Sequence, residues 1–459
     1  MTFQSLEYAV LLIAVFTGYW FVTRRLQNLL LLVASYLFYS FIDPKMAILL
    51  GAYTAVNYIA ARRIESDRNN SRKYLWIAIT ASLGALAFFK YAGFFVESIS
   101  DVLDTIGIAN FESTLKIILP VGISFYTFQS LGYVIDVYTN RTFARRSLID
   151  TALFISFFPQ LVAGPIERAS VLLPQFERRR SFDANLTASG ISLIAWGFFK
   201  KLVIADNVGM IVDNVFSTNQ PGAPMLWVGV FAFGVQILAD FSGYTDIARG
   251  SARLLGIELS LNFRHPWLAA SPADFWRRWH ITLSTWLRDY VYIPLGGNRK
   301  GRYNLAINLI VTFVLGGLWH GAAWNFVLWG LLNAALILIW RAASLFRMKV
   351  HTLPATLITF IVISANWLLF REGDLSYIGD NIADSSGDFK LALVFGITVL
   401  IYSLPIWIHA VIDLTRVADI WERNDVSRMV TLTALTLTSF IAILALRADT
   451  STEFIYFRF

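Results

Sequence analysis

Apolar runs of about 17–23 residues recur along this chain, and no other feature constrains its fold as tightly. About 20 residues at 1.5 Å each cross the ~30 Å hydrocarbon core of a bilayer. The first five runs lie at about 8–23, 27–42, 46–61, 74–96 and 115–135. Composition agrees: 56% of the residues are hydrophobic and 15% are charged, against about 25% charged in a soluble domain. A soluble chain cannot hide that much apolar surface. The expected fold class is an all-α polytopic integral membrane protein.

The loops between these runs alternate in charge. Arg24/Arg25, then Arg62/Arg63/Arg68/Arg72/Lys73, then Arg141/Arg145/Arg146 fall on one side, while Asp43 with Lys45 and the acidic stretch Glu97, Asp101, Asp104, Glu112 fall on the other. By the positive-inside rule the N-terminus faces out and the arginine-rich loops face the cytoplasm. The formal charge of +7 therefore reads as a topology signal, and no nucleic-acid partner is expected. Met1 to Glu7 lacks a positive region and no small-x-small cleavage site follows, so Tyr8 to Val22 reads as a retained first span. The chain has no cysteine, which excludes disulfides, thiolate catalysis and Cys-ligated metals.

The middle is less regular. Leu153 to Ile166 is apolar but short and closes near Gly164-Pro165, the pattern of a re-entrant or broken helix. A basic stretch, Arg168 to Arg180, follows. The apolar segment 188–216 holds Lys200-Lys201, which must snorkel or line a wet cavity. Leu226 to Ile247 is a further span, and Arg249 to Arg302 is basic, rich in Trp and expected on the cytoplasmic side. Runs at about 305–320 and 323–340 have positive flanks on both ends, so they form a hairpin turning near Trp319 to Ala323. Spans at about 354–370, 390–412 and 429–446 bring the expectation to ten to twelve membrane segments, with the C-terminus outside.

Of five histidines, His320 is the one placed by this pattern at membrane depth, in GGLWHGAAWNF (Gly316 to Phe326). Buried polar groups in a membrane are costly unless they are used. A neutral imidazole, with a reference pKa of about 6.5, suits it to take a proton from an attacking hydroxyl. Trp319 and Asn325 supply N–H groups that suit an oxyanion. A buried histidine that merely bonds a neighbouring helix fits composition equally well. His280 sits in ADFWRRWHITLSTWLRDYVYIPLGGNRKG (Ala273 to Gly301), an interfacial stretch whose Arg277, Arg278, Arg288, Arg299 and Lys300 fit either a surface anchor or the docking of an anionic acyl carrier. Asp240 and Asp246, in DFSGYTDIARG (Asp240 to Gly250), suit pairing with Arg249 or Arg253 better than acid–base work, and they make a poor metal site. His265, His351 and His409 read as incidental, and no metal is expected.

Taken together, PVGISFYTFQSLGYVIDVY (Pro120 to Tyr138), FFPQLVAGPIER (Phe157 to Arg168), DFSGYTDIA, DFWRRWHITLSTWLRDYVYIPLGGNRKG and GGLWHGAAWNF resemble the membrane-bound O-acyltransferase (MBOAT) family, in particular its bacterial alginate O-acetylase group. The resemblance is dense from about Pro120 to Asn333. It implies a single membrane domain over 1–459, with N-terminal spans in 1–114, a catalytic core in 115–340, and C-terminal spans with an outer tail in 341–459. About eleven spans, some re-entrant or broken, would surround a central funnel. His320 matches the essential family histidine and His280 the histidine of WRxWHxxLS.

The implied function is transfer of an acyl group, acetyl above all, from a cytoplasmic thioester such as acetyl-CoA towards a polysaccharide outside a bacterial inner membrane. The implied partner is a periplasmic SGNH-type acetyltransferase, alongside membrane lipid. A related branch passes D-alanine to teichoic acid. The tail Phe454-Ile455-Tyr456-Phe457-Arg458-Phe459 resembles an FxYFxF ending in which tyrosine carries the acyl group, so Tyr456 is a candidate relay or, alternatively, an aromatic interfacial anchor. A competing reading from another class is a transporter of polymer or acyl carrier, which the lack of an evident internal repeat disfavours.

Overall fold

Helix starts are encoded locally. Asp43 caps the helix that opens with Pro44, its Oδ1 accepting the Lys45 N–H at 2.8 Å, and Ser271 does the same for the helix opening with Pro272, accepting from Asp274 N at 3.0 Å. In the computed structural model the elements of the described residues are all helical. The structure describes residues 2–107, 117–162, 164–299, 301–345, 352–415, 425–449 and 454–455. The chain divides into two units, 1–187 with 251–260, and 188–250 with 261–459.

The first unit contains α1 (Leu6–Tyr19), α2 (Arg24–Ser40), α3 (Pro44–Ser66), α4 (Arg68–Thr105), α5 (Ile123–Tyr138), α6 (Leu148–Ser156) and α7 (Ala169–Glu177). Helix α5 is enclosed along nearly its whole length. Polar contacts fix the packing inside this unit: Asn28 Nδ2 donates to Asp150 Oδ1 at 2.7 Å, and Arg180 Nη2 donates to Asn28 Oδ1 at 2.6 Å. The expected broken segment is there, since α6 stops after nine residues and Phe157, Phe158 and Leu161 continue buried without helix.

The second unit carries all but the first turn of α8 (Ala184–Phe216) and all but the last turn of α9 (Gly222–Leu254), then α10 (Pro272–Arg278), α11 (Ile281–Leu287), α12 (Gly301–His320), α13 (Trp324–Leu345), α14 (Thr352–Arg371), α15 (Leu375–Asn381), α16 (Phe389–Leu414) and α17 (Asp425–Leu446). Among the described residues eight helices are long and apolar enough to cross a membrane: α4, α8, α9, α12, α13, α14, α16 and α17. In the first unit α1, α2 and α5 have 14, 17 and 16 residues, short of the ~20 that a perpendicular crossing needs.

Two glycine pairs bring α8 and α9 together. A Cβ on Gly243 would stand 2.8 Å from Gly197 O, and one on Gly250 would stand 2.6 Å from Gly190 O. Only hydrogen fits there, as in other small-residue seams between membrane helices. Beside the seam α8 loosens into a π-turn over Phe199–Ala205, which contains both lysines.

Candidate active site

His320 ends α12, and α13 begins at Trp324, so the expected hairpin turn falls at Gly321–Ala323. The imidazole is buried. His280 is fully buried in the two-residue break, Trp279-His280, between α10 and α11, with a left-handed backbone at φ 40°. That conformation is uncommon for a non-glycine residue and needs support from its surroundings. The support comes from segment 261–264: Ile281 N donates to Asn262 O at 2.9 Å and Arg264 N to Arg278 O at 2.9 Å.

The ring centroids of His280 and His320 lie 6.4 Å apart. Trp319 stands beside both, 5.7 Å from His280 and 5.1 Å from His320. Trp329 and Phe370 present themselves edge-on to His320 at 5.3 and 5.2 Å, and Phe241 to His280 at 4.8 Å. The walls of the site are thus aromatic. Burial pushes the His280 imidazole down to about 3, because an imidazolium loses its hydration there. At neutral pH it is an uncharged ring, able to accept a proton during a reaction and to return it.

Behind Phe241 lies a buried ionic group. Lys201 Nζ sits 2.8 Å from Asp206 Oδ1 and 3.0 Å from Asp240 Oδ1, and none of the three is exposed by more than 3% in its side chain. The other oxygen of Asp240 accepts the backbone N–H of Ile455 at 2.8 Å. Phe454 packs on Tyr244 at 4.0 Å and on Phe241 at 5.8 Å. Sequence reasoning gave Asp240 an arginine partner and missed this arrangement. Its only signal was the misfit of two lysines in an apolar run.

Lys200 bonds Asp246 at 2.7 Å, and Arg249 approaches the same carboxylate at 3.4 Å, as expected from its spacing. Lys200, Asp246 and Asn262 border a cavity of about 210 Å³. The wall also holds His265 and His409, whose rings are 5.6 Å apart, and His265 Nε2 lies 2.7 Å from Asp413 Oδ2. These two histidines, incidental by sequence, share a cavity with a residue that touches His280.

Trp319 flanks the two histidines and packs against each ring. The Asn325 amide nitrogen donates to Leu369 O at 3.0 Å and bridges α13 to α14. Arg277, Arg288 and Arg299 are exposed; Arg278 pairs with Asp274 at 3.0 Å and Arg288 with Asp289 at 2.7 Å. Lys300, His351 and Tyr456 lie outside the described residues. Among the described residues no three histidine or carboxylate side chains gather as a metal site.

The family model of the MBOAT, membrane-bound O-acyltransferase family matches residues 141–371. The Probable alginate O-acetylase AlgI of Pseudomonas putida is 38% identical over 380 residues, covering 82% of this chain and 78% of that protein. The peptidoglycan O-acetyltransferase of Helicobacter pylori is 37% identical over 398 residues, covering 78% of this chain and 75% of its own. The teichoic acid D-alanyltransferase of Bacillus subtilis is 29% identical over 271 residues, 54% of this chain and 67% of its own.

Proposed function

The chain belongs to the membrane-bound O-acyltransferase family and is a multi-pass membrane O-acetyltransferase; from that premise we propose that His320 and His280 form its catalytic pair, acting on a cytoplasmic thioester. The observation that carries this reading is the approach of two buried imidazoles to 6.4 Å inside an aromatic enclosure, both within the matched residues 141–371. His320 accepts the proton of an attacking hydroxyl as that oxygen bonds to the thioester carbonyl carbon. The carbon–sulfur bond then breaks, and the proton passes to the departing thiolate, so no net charge is left in the apolar site. His280 joins His320 as a relay for that same proton. The donor is acetyl-CoA, approaching from the cytoplasm past Arg277, Arg278, Arg288, Arg299 and Lys300, and its arm enters the cavity bordered by Asn262.

The acceptor is an extracytoplasmic polysaccharide of the alginate or peptidoglycan kind, as the names of the relatives suggest, and a periplasmic SGNH-type acetyltransferase completes delivery. Teichoic acid D-alanylation has weaker support, because that relative covers little more than half of the chain. The protein lies in a bacterial inner membrane with both termini outside, on the strength of the arginine-rich loops. Tyr456 serves as the relay: its hydroxyl oxygen takes the acyl group at the histidine pair, and the resulting ester is presented outward. Burial of its neighbours Phe454 and Ile455 against Phe241 and Asp240 supports this role.

His320→Ala should abolish polymer acetylation at equal membrane abundance, and wild-type acetylation in that variant would remove the assignment. Tyr456→Phe keeps the aromatic ring but loses the oxygen; full polymer acetylation would sink the relay alone. Purified protein given radiolabelled acetyl-CoA should release free CoA, which a transporter would not do.

A further inference from the structure

Asn262 connects the cavity to His280, and its two amide atoms have different work. Its oxygen lies 3.2 Å from Thr282 N, 3.0 Å from Thr282 Oγ1 and 3.1 Å from His280 Nδ1. A backbone N–H only donates, so the atom facing Thr282 N must be the oxygen, and the amide has a single acceptable orientation. The same oxygen only accepts. His280 Nδ1 therefore carries the ring proton, and Nε2 carries the lone pair. This hydrogen bond acts on a ring already held by the backbone contact of Ile281 N with Asn262 O.

The amide nitrogen is the other half. Asn262 is 1% exposed, and its Nδ2 has no hydrogen-bond partner among the described residues. A buried donor left unbonded costs about 1–3 kcal/mol. Asn262 also borders the cavity of about 210 Å³, smaller than the ~300–1,000 Å³ of a pocket for a drug-sized ligand. Such a space admits a slender arm and excludes a polysaccharide. Its nearby carboxylate, Asp246, is already engaged by Lys200 and Arg249. What Nδ2 lacks is an acceptor, and the acceptors on an acyl-thioester arm are its carbonyl oxygens.

We propose that Asn262 is a positioning residue for the transfer reaction: its Oδ1 holds His280 as the Nδ1–H tautomer with Nε2 as acceptor, and its Nδ2 donates to a carbonyl oxygen of the donor's arm in the cavity. This rests on the reading of the histidine pair given above. It makes occupation of the cavity and the state of the base two consequences of one side chain.

The test uses the purified full-length protein, with acetyl-CoA and acetylated acyl carrier protein as separate donors, because both carry the same arm. Asn262→Asp keeps an oxygen towards Nδ1 and Thr282 but replaces the Nδ2 donor. It should raise the donor KM about tenfold, the loss of one buried hydrogen bond, for whichever carrier is the true source. It should also move the acid limb of the kcat profile upward, since a carboxylate favours the imidazolium. Asn262→Ala should lower kcat about 10–100-fold, as losses of orienting partners do. An Asn262→Asp enzyme with wild-type KM and an unmoved acid limb overturns the proposal while His280→Ala remains inactive. Full turnover by His280→Ala would instead overturn the histidine pair, and the role of Asn262 with it. Should Asn262→Ala accumulate poorly, the Asp variant alone decides, because a merely structural asparagine gives it no reason to shift a pH limb.

Discussion

A methyl group on Gly243 should force α9 away from α8. The new Cβ would stand 2.8 Å from Gly197 O, where ordinary contact begins at 3.4 Å, so the seam must open by about 0.6 Å. Backbone lies on the far side, and a carbonyl in a helix cannot rotate away. The reciprocal change, Gly197→Ala, meets Gly243 O at 2.7 Å and Ile247 N at 3.0 Å. Overpacking of this kind costs about 1–3 kcal/mol. The same opening stretches Lys201–Asp240, now 3.0 Å, and Lys200–Asp246, now 2.7 Å. Each single variant should lower the thermal midpoint in detergent by about 1–3 °C.

Turnover should fall about tenfold or more, because Asp240 and Phe241 stand next to the site and an error of 1 Å there costs up to ~10²-fold. Once one methyl has parted the helices, the second adds little, so the double variant should lose less than the sum of the singles. Gly84→Ala is the control. Its Cβ would meet nothing within 4 Å, and the substitution should leave the midpoint equal or raise it through helix propensity. Thermal scanning of purified protein and acetyl-CoA turnover at equal protein concentration measure all four. Wild-type midpoints and turnover in both single seam variants would refute the close packing, and strict additivity would refute the shared seam.

Removing the cation by Lys201→Met leaves the Asp206 and Asp240 carboxylates buried together, which should cost about 3–5 kcal/mol and reduce membrane abundance; adding Asp240→Asn should recover part of it. His280, held near 3 in the fold against about 6.5 when unfolded, makes the unfolded chain the first to bind a proton as pH falls. Its contribution to stability is complete above about pH 6.5 and is lost progressively towards pH 3. His280→Gln should therefore show a flatter decline in thermal midpoint between pH 7 and 5 than the wild type.

His320 was legible because local signals converge on it: two apolar runs of spanning length, positive flanks at both ends, and glycines at the turn. His280 was legible as a candidate, but its partner Asn262 was not. A loop residue 18 positions earlier enters the site only through the left-handed backbone at His280, which local patterning does not announce. Lys200 and Lys201 stood out as misfits in an apolar run, yet their partners follow from the register of α8 on α9. That register is set by glycines 190 and 197 meeting 250 and 243, a relation between helices and not within one. His265 and His409 looked incidental for the same reason, since their common cavity exists only after α16 has packed.

The lysine–aspartate pairs also bear on how the chain enters its membrane. Alone, α8 would carry two ammonium groups into hydrocarbon against the single carboxylate of its own Asp206, and the unanswered charge costs about 2.5–3.5 kcal/mol on insertion scales. The remaining counter-charges, Asp246 for Lys200 and Asp240 as the second partner of Lys201, lie on the next helix, beyond a connection of only a few residues. Helices α8 and α9 are therefore a single unit of biogenesis, stable in the bilayer as a neutralised hairpin and poorly retained one at a time. A reporter fused between them would record the orientation of an unbalanced helix, and topology mapping of this protein needs its fusion points after α9.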